Sequence, residues 1–193
     1  MKNELRIVGG HWRGRKLRFP SSEGLRPTPD RVRETLFNWL QQDLTGLSCL
    51  DLYSGSGALG FEAASRGAAS VVAVERNREV CAELRRNCEL LDARQVRVVQ
   101  RDVMSFLRDP AHPYDVVFAD PPFHQDLVIP CCCQLEEGGW LRANAFIYIE
   151  AEKELKLEGL PESWVAYRSR QAGVVGYHLF RRDAQRPKRA GDL

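Results

Sequence analysis

The sequence lacks any apolar run long enough to span a bilayer, which excludes a transmembrane helix. Its first residues, Met1-Lys2-Asn3-Glu4-Leu5-Arg6, lack the apolar core of a signal peptide, so a cytoplasmic protein is expected. No CxxC pair occurs among the six cysteines, and three of them, Cys131-Cys132-Cys133, are contiguous. Neighbours in a row suit neither a zinc site nor a regular disulfide framework. Cys49, Cys81, Cys88 and this triplet therefore read as small hydrophobes in a reducing compartment. The four histidines, His11, His112, His124 and His178, show no ligand spacing, so no metal is expected. There is no internal repeat and little net charge, +2.

What is present is an ordinary globular balance: 193 residues, 44% hydrophobic and 28% charged, enough for one domain with a sizeable core. The charge is unevenly spread. Residues 1–33 hold nine Lys/Arg against three Asp/Glu, whereas the remainder is acidic. Such asymmetry points either to a surface for an anionic partner or to a solvated strand pair.

Residues 4–8 and 13–19 alternate like two strands, with Gly9-Gly10 as their turn. A Pro-rich loop follows from Pro20 to Pro29. Thr28-Pro29 reads as N-cap and first position of a helix whose apolar face runs through Val32, Leu36, Phe37 and Leu40 to about Leu44. From Ser48 short apolar runs alternate with amphipathic stretches. Strands are expected at Cys49–Tyr53, Ser70–Glu75, Val96–Gln100, Tyr114–Ala119 and Ala145–Glu150. Helices are expected at Ala58–Arg66, Arg78–Leu91, Val103–Arg108 and Gln125–Leu135. Near-continuous apolar strands imply a sheet covered on both faces, hence parallel βαβ units. Trp164–Arg170 and Val174–Arg181, separated by Gly173, read as a closing antiparallel hairpin. The fold class is therefore α/β, a Rossmann-like doubly wound sheet with a C-terminal hairpin. The expected organisation is an N-terminal hairpin and helix (1–44), a main domain (45–182) and a basic flexible tail (183–193).

Three motifs carry chemistry. Leu50-Asp51-Leu52-Tyr53-Ser54-Gly55-Ser56-Gly57-Ala58-Leu59-Gly60 leaves a strand and enters a helix, and its glycines allow close backbone approach to a ligand. Glu75 ends the next strand, where a carboxylate can bind both hydroxyls of a ribose. This fits NAD, FAD or S-adenosylmethionine. Asp51 favours the last, because a carboxylate there opposes a pyrophosphate and suits an α-ammonium. Asp102 is placed to accept from an adenine amino group, or to cap the helix that follows.

The second motif, Asp120-Pro121-Pro122-Phe123, ends the strand Tyr114–Ala119 at the ligand-binding edge of an open α/β sheet. The amine on a base is a poor nucleophile because its lone pair is delocalised into the ring. Two acceptors on its two N–H bonds favour the tetrahedral geometry needed to attack a methyl group. The Asp120 carboxylate and the Pro121 carbonyl supply two, the prolines stiffen the loop, and Phe123 offers a stacking face for a base taken out of its stack. The bland reading is a tight turn with Phe123 as core filler.

The third is basic: Gly9-Gly10-His11-Trp12-Arg13-Gly14-Arg15-Lys16, then Leu25-Arg26-Pro27-Thr28-Pro29-Asp30-Arg31-Val32-Arg33. Arginines with glycines suit phosphate contacts on RNA. Arg31 can equally make helix-surface ion pairs, and Trp12 reads as hairpin packing. The RNA-binding candidates are Arg13, Arg15, Lys16, Arg26, Arg31 and Arg33.

Taken together, Arg6–Leu17, Arg26-Pro27-Thr28, Arg31–Asn38, Asp51–Gly57 and Asp120–Phe123 strongly resemble the bacterial 16S ribosomal RNA guanine-N2 methyltransferase family customarily named for guanine 966. The resemblance runs from about Arg6 to Arg181. It implies a seven-stranded methyltransferase fold, S-adenosylmethionine as donor, and a guanine amino group of 16S rRNA in the small ribosomal subunit or its assembly intermediate as acceptor. It implies Asp120, Pro121, Pro122 and Phe123 as the catalytic loop. The cofactor site would comprise Asp51, Tyr53, Gly55, Gly57, Glu75, Arg76, Asp102, Val103 and Asp120, and the basic hairpin would dock RNA. The residues themselves leave open an N-methyltransferase acting on DNA or another rRNA guanine, a protein-glutamine methyltransferase, a nicotinamide dehydrogenase and a non-catalytic RNA-binding assembly factor.

Overall fold

The computed structural model describes residues 3–21 and 27–185. Two short strands, β1 (Asn3–Arg6) and β2 (Lys16–Phe19), pair antiparallel, and α1 (Asp30–Trp39) follows. The main sheet then winds through β3 (Ser48–Leu52), α2 (Ala58–Ser65), β4 (Ser70–Glu75), α3 (Arg78–Leu91), β5 (Val96–Gln100), α4 (Val103–Phe106), β6 (Tyr114–Ala119), α5 (Val128–Glu137), β7 (Leu141–Glu152), β8 (Trp164–Ala172) and β9 (Val175–Arg182). The seven strands lie in the order β5-β4-β3-β6-β7-β9-β8; β9 runs antiparallel to both of its neighbours, and the other pairings are parallel. This is the expected doubly wound sheet with its closing hairpin.

Both faces of the sheet are covered, as its strand composition requires. Cys49, Val71, Val116, Phe118 and Tyr148 point towards α1, α2, α3 and the N-terminal hairpin, where Phe37, Phe61, Leu84 and Leu17 meet them. Leu50, Val72, Val117 and Ile147 point the other way, onto Phe106 of α4 and Cys131, Cys132 and Leu135 of α5. All six cysteines are free.

The N-terminal segment departs from expectation in three ways. Its strands are shorter than 4–8 and 13–19, and Gly9-Gly10 is not a tight hairpin turn. Ile7 and Arg15 instead close a wider loop, with Ile7 N donating to Arg15 O at 3.0 Å and Gly14 N to Ile7 O at 2.8 Å. The glycines lie against α2: His11 N donates to Ser65 O, and a Cβ on Gly10 (φ 72°) would sit 1.9 Å from that carbonyl. Thr28 is not the N-cap of α1. The helix opens at Asp30 after Pro29 without a side-chain cap, because the Thr28 hydroxyl is engaged elsewhere. The helix also stops at Trp39 rather than near Leu44, since Gln41 and Gln42 both take φ 64° and turn the chain. Leu40 and Leu44 remain buried all the same.

Further along, α5 opens at Val128 and not at Gln125. Positive φ at His124 (59°) and Asp126 (52°) keeps the preceding segment a loop. Among the described residues no helix is long and apolar enough to cross a membrane. Residues 186–193, most of the expected tail, lie outside the described residues.

Candidate functional site

The strand order reverses between β3 and β6, and the chain leaves both strands at the same edge of the sheet. That edge is where open α/β sheets bind ligands. It gathers the glycine turn after β3, Glu75 at the end of β4, Asp102 after β5 and Asp120 after β6.

The glycine turn is built from left-handed residues: Tyr53 (φ 58°), Gly55 (φ 49°) and Gly57 (φ 77°). A Cβ on Gly57 would meet Leu84 and Phe61 at 2.6–2.7 Å, so a side chain there would displace α2 from α3. Glu75 grips the turn, its Oε2 accepting from Gly55 N at 3.1 Å while Oε1 accepts from Asn77 N at 2.7 Å. Arg76 next to it is exposed. Asp102 caps α4, its Oδ1 accepting from Ser105 N at 2.9 Å, and Val103 behind it is buried. The Tyr53 hydroxyl is buried, and desolvation raises its pKa.

Asp51 is 2% exposed and braces α2: its Oδ2 accepts from Gly60 N at 3.0 Å, an approach a Cβ on Gly60 would obstruct at 2.7 Å. Burial pushes its carboxyl up to about 7; the bonds from Gly60 and Ser54 oppose this, and the Glu75 charge adds to it. Asp120 is half-buried, and its carboxyl is raised well above the usual range by desolvation and then by the charges of Glu150 and Asp51. Glu150, on β7, is buried and also raised, chiefly by desolvation, although its Oε1 accepts from the Thr28 hydroxyl at 2.8 Å and the Tyr148 hydroxyl at 2.9 Å. Sequence reasoning missed Glu150. It ends an apolar strand and carries no local signature of its own.

A concentration of like-charged, partly desolvated carboxylates is unfavourable by itself and marks functional sites. It repels pyrophosphate. It suits a ligand that carries a sulfonium and an ammonium and presents ribose hydroxyls, and the residues present therefore fit S-adenosylmethionine. In the loop, Pro121 is buried, Pro122 exposed and Phe123 half-buried. The loop is tied to the end of β7, because the backbone N–H of His124 donates to the Glu152 carboxylate and its ring Nδ1 lies 3.2 Å from the same oxygen. Among the described residues no cluster of three or more His, Cys, Asp or Glu is arranged to hold a metal ion.

The basic candidates divide. Arg13, Arg15, Lys16 and Arg31 are exposed. Arg15 reaches Leu90 O at 3.2 Å, and Lys16 pairs with Glu4 at 3.1 Å. Arg26 lies outside the described residues. Arg33 is a correction. It is 1% exposed, and its guanidinium binds Glu62 (3.3 Å), Arg6 O (2.8 Å), Thr28 O (3.1 Å) and Asp30. Four of its five N–H bonds are taken inside the fold and the side chain is buried, so it cannot face a phosphate and Arg33 belongs to the core. Its partner Glu62, fully buried on α2, also accepts from Val8 N and Arg66. Sequence reasoning missed it too, because nothing near residue 62 reveals partners at 8 and 33. Trp12, 8% exposed, packs as expected.

Comparison with known proteins agrees with this geometry. The model of the family described as conserved hypothetical protein 95 matches residues 5–181. The chain is 48% identical over 182 residues to ribosomal RNA small subunit methyltransferase D of Escherichia coli K12, covering 94% of this chain and 92% of that protein. It is 45% identical over 183 residues to the protein of the same name from Haemophilus influenzae, covering 93% and 94%. A solved putative methyltransferase from Escherichia coli superposes with a TM-score of 0.87 at 47% identity, over 95% of this chain and all of that one. A precorrin-6y methyltransferase structure from Geobacter metallireducens, 19% identical with a TM-score of 0.66 over 86% of this chain and 95% of that one, shares the fold. A chain with this edge, and with this likeness along almost its whole length, belongs to the ribosomal RNA small subunit methyltransferase D family.

Proposed function

We propose that this enzyme methylates the exocyclic N2 amino group of a guanine in 16S rRNA, the one at position 966, using S-adenosylmethionine as donor and the small ribosomal subunit or its assembly intermediate as substrate. The observation that carries this reading is the placement of Asp120-Pro121-Pro122-Phe123 at the switch edge, beside the glycine turn. The names of the relatives support ribosomal RNA over DNA or protein as the acceptor.

When bound, S-adenosylmethionine supplies an electrophilic methyl group. Glu75 would hold the ribose hydroxyls and Asp102 the adenine amino group, with Arg76 and Val103 flanking the adenosine. Asp51 and Asp120 place negative charge where the ligand is cationic. On the acceptor side, the Asp120 carboxylate and the Pro121 carbonyl take the two N–H bonds of the guanine amine, so that its lone pair projects away from the ring. Phe123 stacks on the extruded base, a contact worth ~1–3 kcal/mol. Asp120 can then take the proton that the amine loses, and its raised pKa makes it a better base than an ordinary carboxylate. The remaining work is alignment, a proximity effect. Arg13, Arg15, Lys16 and Arg31, with Arg26, would contact rRNA phosphates.

The test is methyl transfer from labelled S-adenosylmethionine to small subunits from cells lacking the protein. The label is expected in N2-methylguanosine at one nucleotide, guanine 966. Label in another nucleoside, or none in 16S rRNA, overturns the reading.

A further inference from the structure

Ala119 and Ile149 form the last registered pair of β6 and β7, so the register carried one step further sets Asp120 beside Glu150. Two residues earlier Phe118 pairs with Tyr148, and their rings meet at 6.4 Å. Side chains alternate along a strand, so Asp120 and Glu150 share the face of that aromatic pair. Glu150 is 5% exposed. Its Oε1 is clamped by two hydroxyls from separate elements, Thr28 before α1 and Tyr148 on β7. Both hydrogen bonds that described residues donate to Glu150 go to this one oxygen, Oε1.

When both are ionised, two carboxylates held side by side form an edge made only of acceptors. Of the four RNA bases, guanine alone presents two adjacent donors, N1–H and N2–H₂, on its Watson–Crick edge. Adenine and cytosine set their amino group beside a ring acceptor, and uracil flanks its one N–H with carbonyls. We infer that Glu150 accepts the N1–H of the target guanine while Asp120 accepts from its N2 amine, so that Glu150 selects guanine. Thr28 and Tyr148 are positioning residues that hold the Glu150 carboxylate in place. The inference rests on the guanine-N2 reading above.

The experiment compares small subunits reconstituted with 16S rRNA carrying either guanine or 2-aminopurine at the target nucleotide. 2-Aminopurine keeps the amino group but replaces N1–H with an acceptor. Wild-type protein is expected to methylate guanine roughly 10- to 100-fold faster, the worth of one hydrogen bond to a charged group. Equal rates overturn the inference without any variant. Glu150→Gln, whose amide can donate to a ring nitrogen, is expected to lose that preference or invert it, and an unchanged preference also overturns the inference. Binding of S-adenosylhomocysteine reports whether the variant folds. Should Glu150→Gln fail to fold, Thr28→Val is read the same way, with a smaller loss of preference expected and an unchanged one contradicting the clamp. Wild-type protein that binds S-adenosylhomocysteine and labels neither subunit removes the guanine-N2 reading itself, an outcome distinct from labelling both equally.

Discussion

Glu62 and Glu150 are both buried glutamates on the same side of the sheet, and they live in opposite surroundings. Glu62 is neutralised by Arg33 and Arg66 and receives Val8 N, so its charge is fully answered inside the protein. Glu150 has two hydroxyls and, as its charged neighbour, another carboxylate, Asp120. The first arrangement fixes the N-terminal hairpin onto α2. The second has no cation among its described hydrogen-bond partners, and it sits at the sheet edge proposed above to receive substrate and cofactor. Whether a buried charge is compensated within the fold separates structural from functional acids here.

Breaking the compensated cluster is expected to have the largest effect on stability. Arg33→Ala strands Glu62 and should cost about 3–5 kcal/mol of unfolding free energy in urea titration, the usual loss when one partner of a buried ion pair is removed. A loss below about 1 kcal/mol would place Arg33 back among the surface residues. Asp120→Ala should behave in the opposite way. Removing one of two crowded carboxylates should leave the melting temperature equal to or above wild type, and S-adenosylhomocysteine binding intact. Methyl transfer should fall roughly 10²- to 10³-fold, as for loss of one positioned hydrogen-bonding group in a transition state. Unaltered turnover would remove Asp120 from the chemistry.

A smaller effect is expected at the exposed end of the hairpin. Changing Arg13, Arg15 and Lys16 together to Ala should weaken subunit binding and flatten its dependence on salt, by a slope of up to about two to three in log–log form. An unchanged slope would move the docking surface elsewhere. The smallest expected effect is on pH. Asp51 titrates near 7, and a cationic ligand favours its charged form. Binding therefore releases protons, and affinity for S-adenosylmethionine should rise by roughly threefold as the pH climbs through about 7, then level off. Calorimetry in buffers of different ionisation enthalpy measures the protons released. Affinity that falls with pH would contradict the sign.

Several parallel strands were legible because their chemistry is local. Ser70–Glu75, Val96–Gln100 and Tyr114–Ala119 are apolar runs bounded by polar or turn residues, and the structure has them with those limits; Arg78–Leu91 is an amphipathic helix with Asn77 as its cap. The glycine turn and Asp120-Pro121-Pro122-Phe123 were legible as motifs for the same reason, and the strand order brings them to one edge. What escaped depends on distant partners. Arg33 reads as one more surface arginine until Glu62 is brought beneath it. Thr28 reads as a helix cap until Glu150, 122 residues away, takes its hydroxyl. Gly9-Gly10 reads as a hairpin turn until Ser65 lies against it. In each case a contact made by the fold overrode a preference set by neighbours in the chain.

The most direct measurement is a crystal structure of the protein with S-adenosylhomocysteine. The ribose is expected on Glu75 and the sulfur facing the cleft between the glycine turn and Asp120. A ligand bound at another edge, or a sulfur turned away from residue 120, would contradict the assignment of this carboxylate edge to methyl transfer.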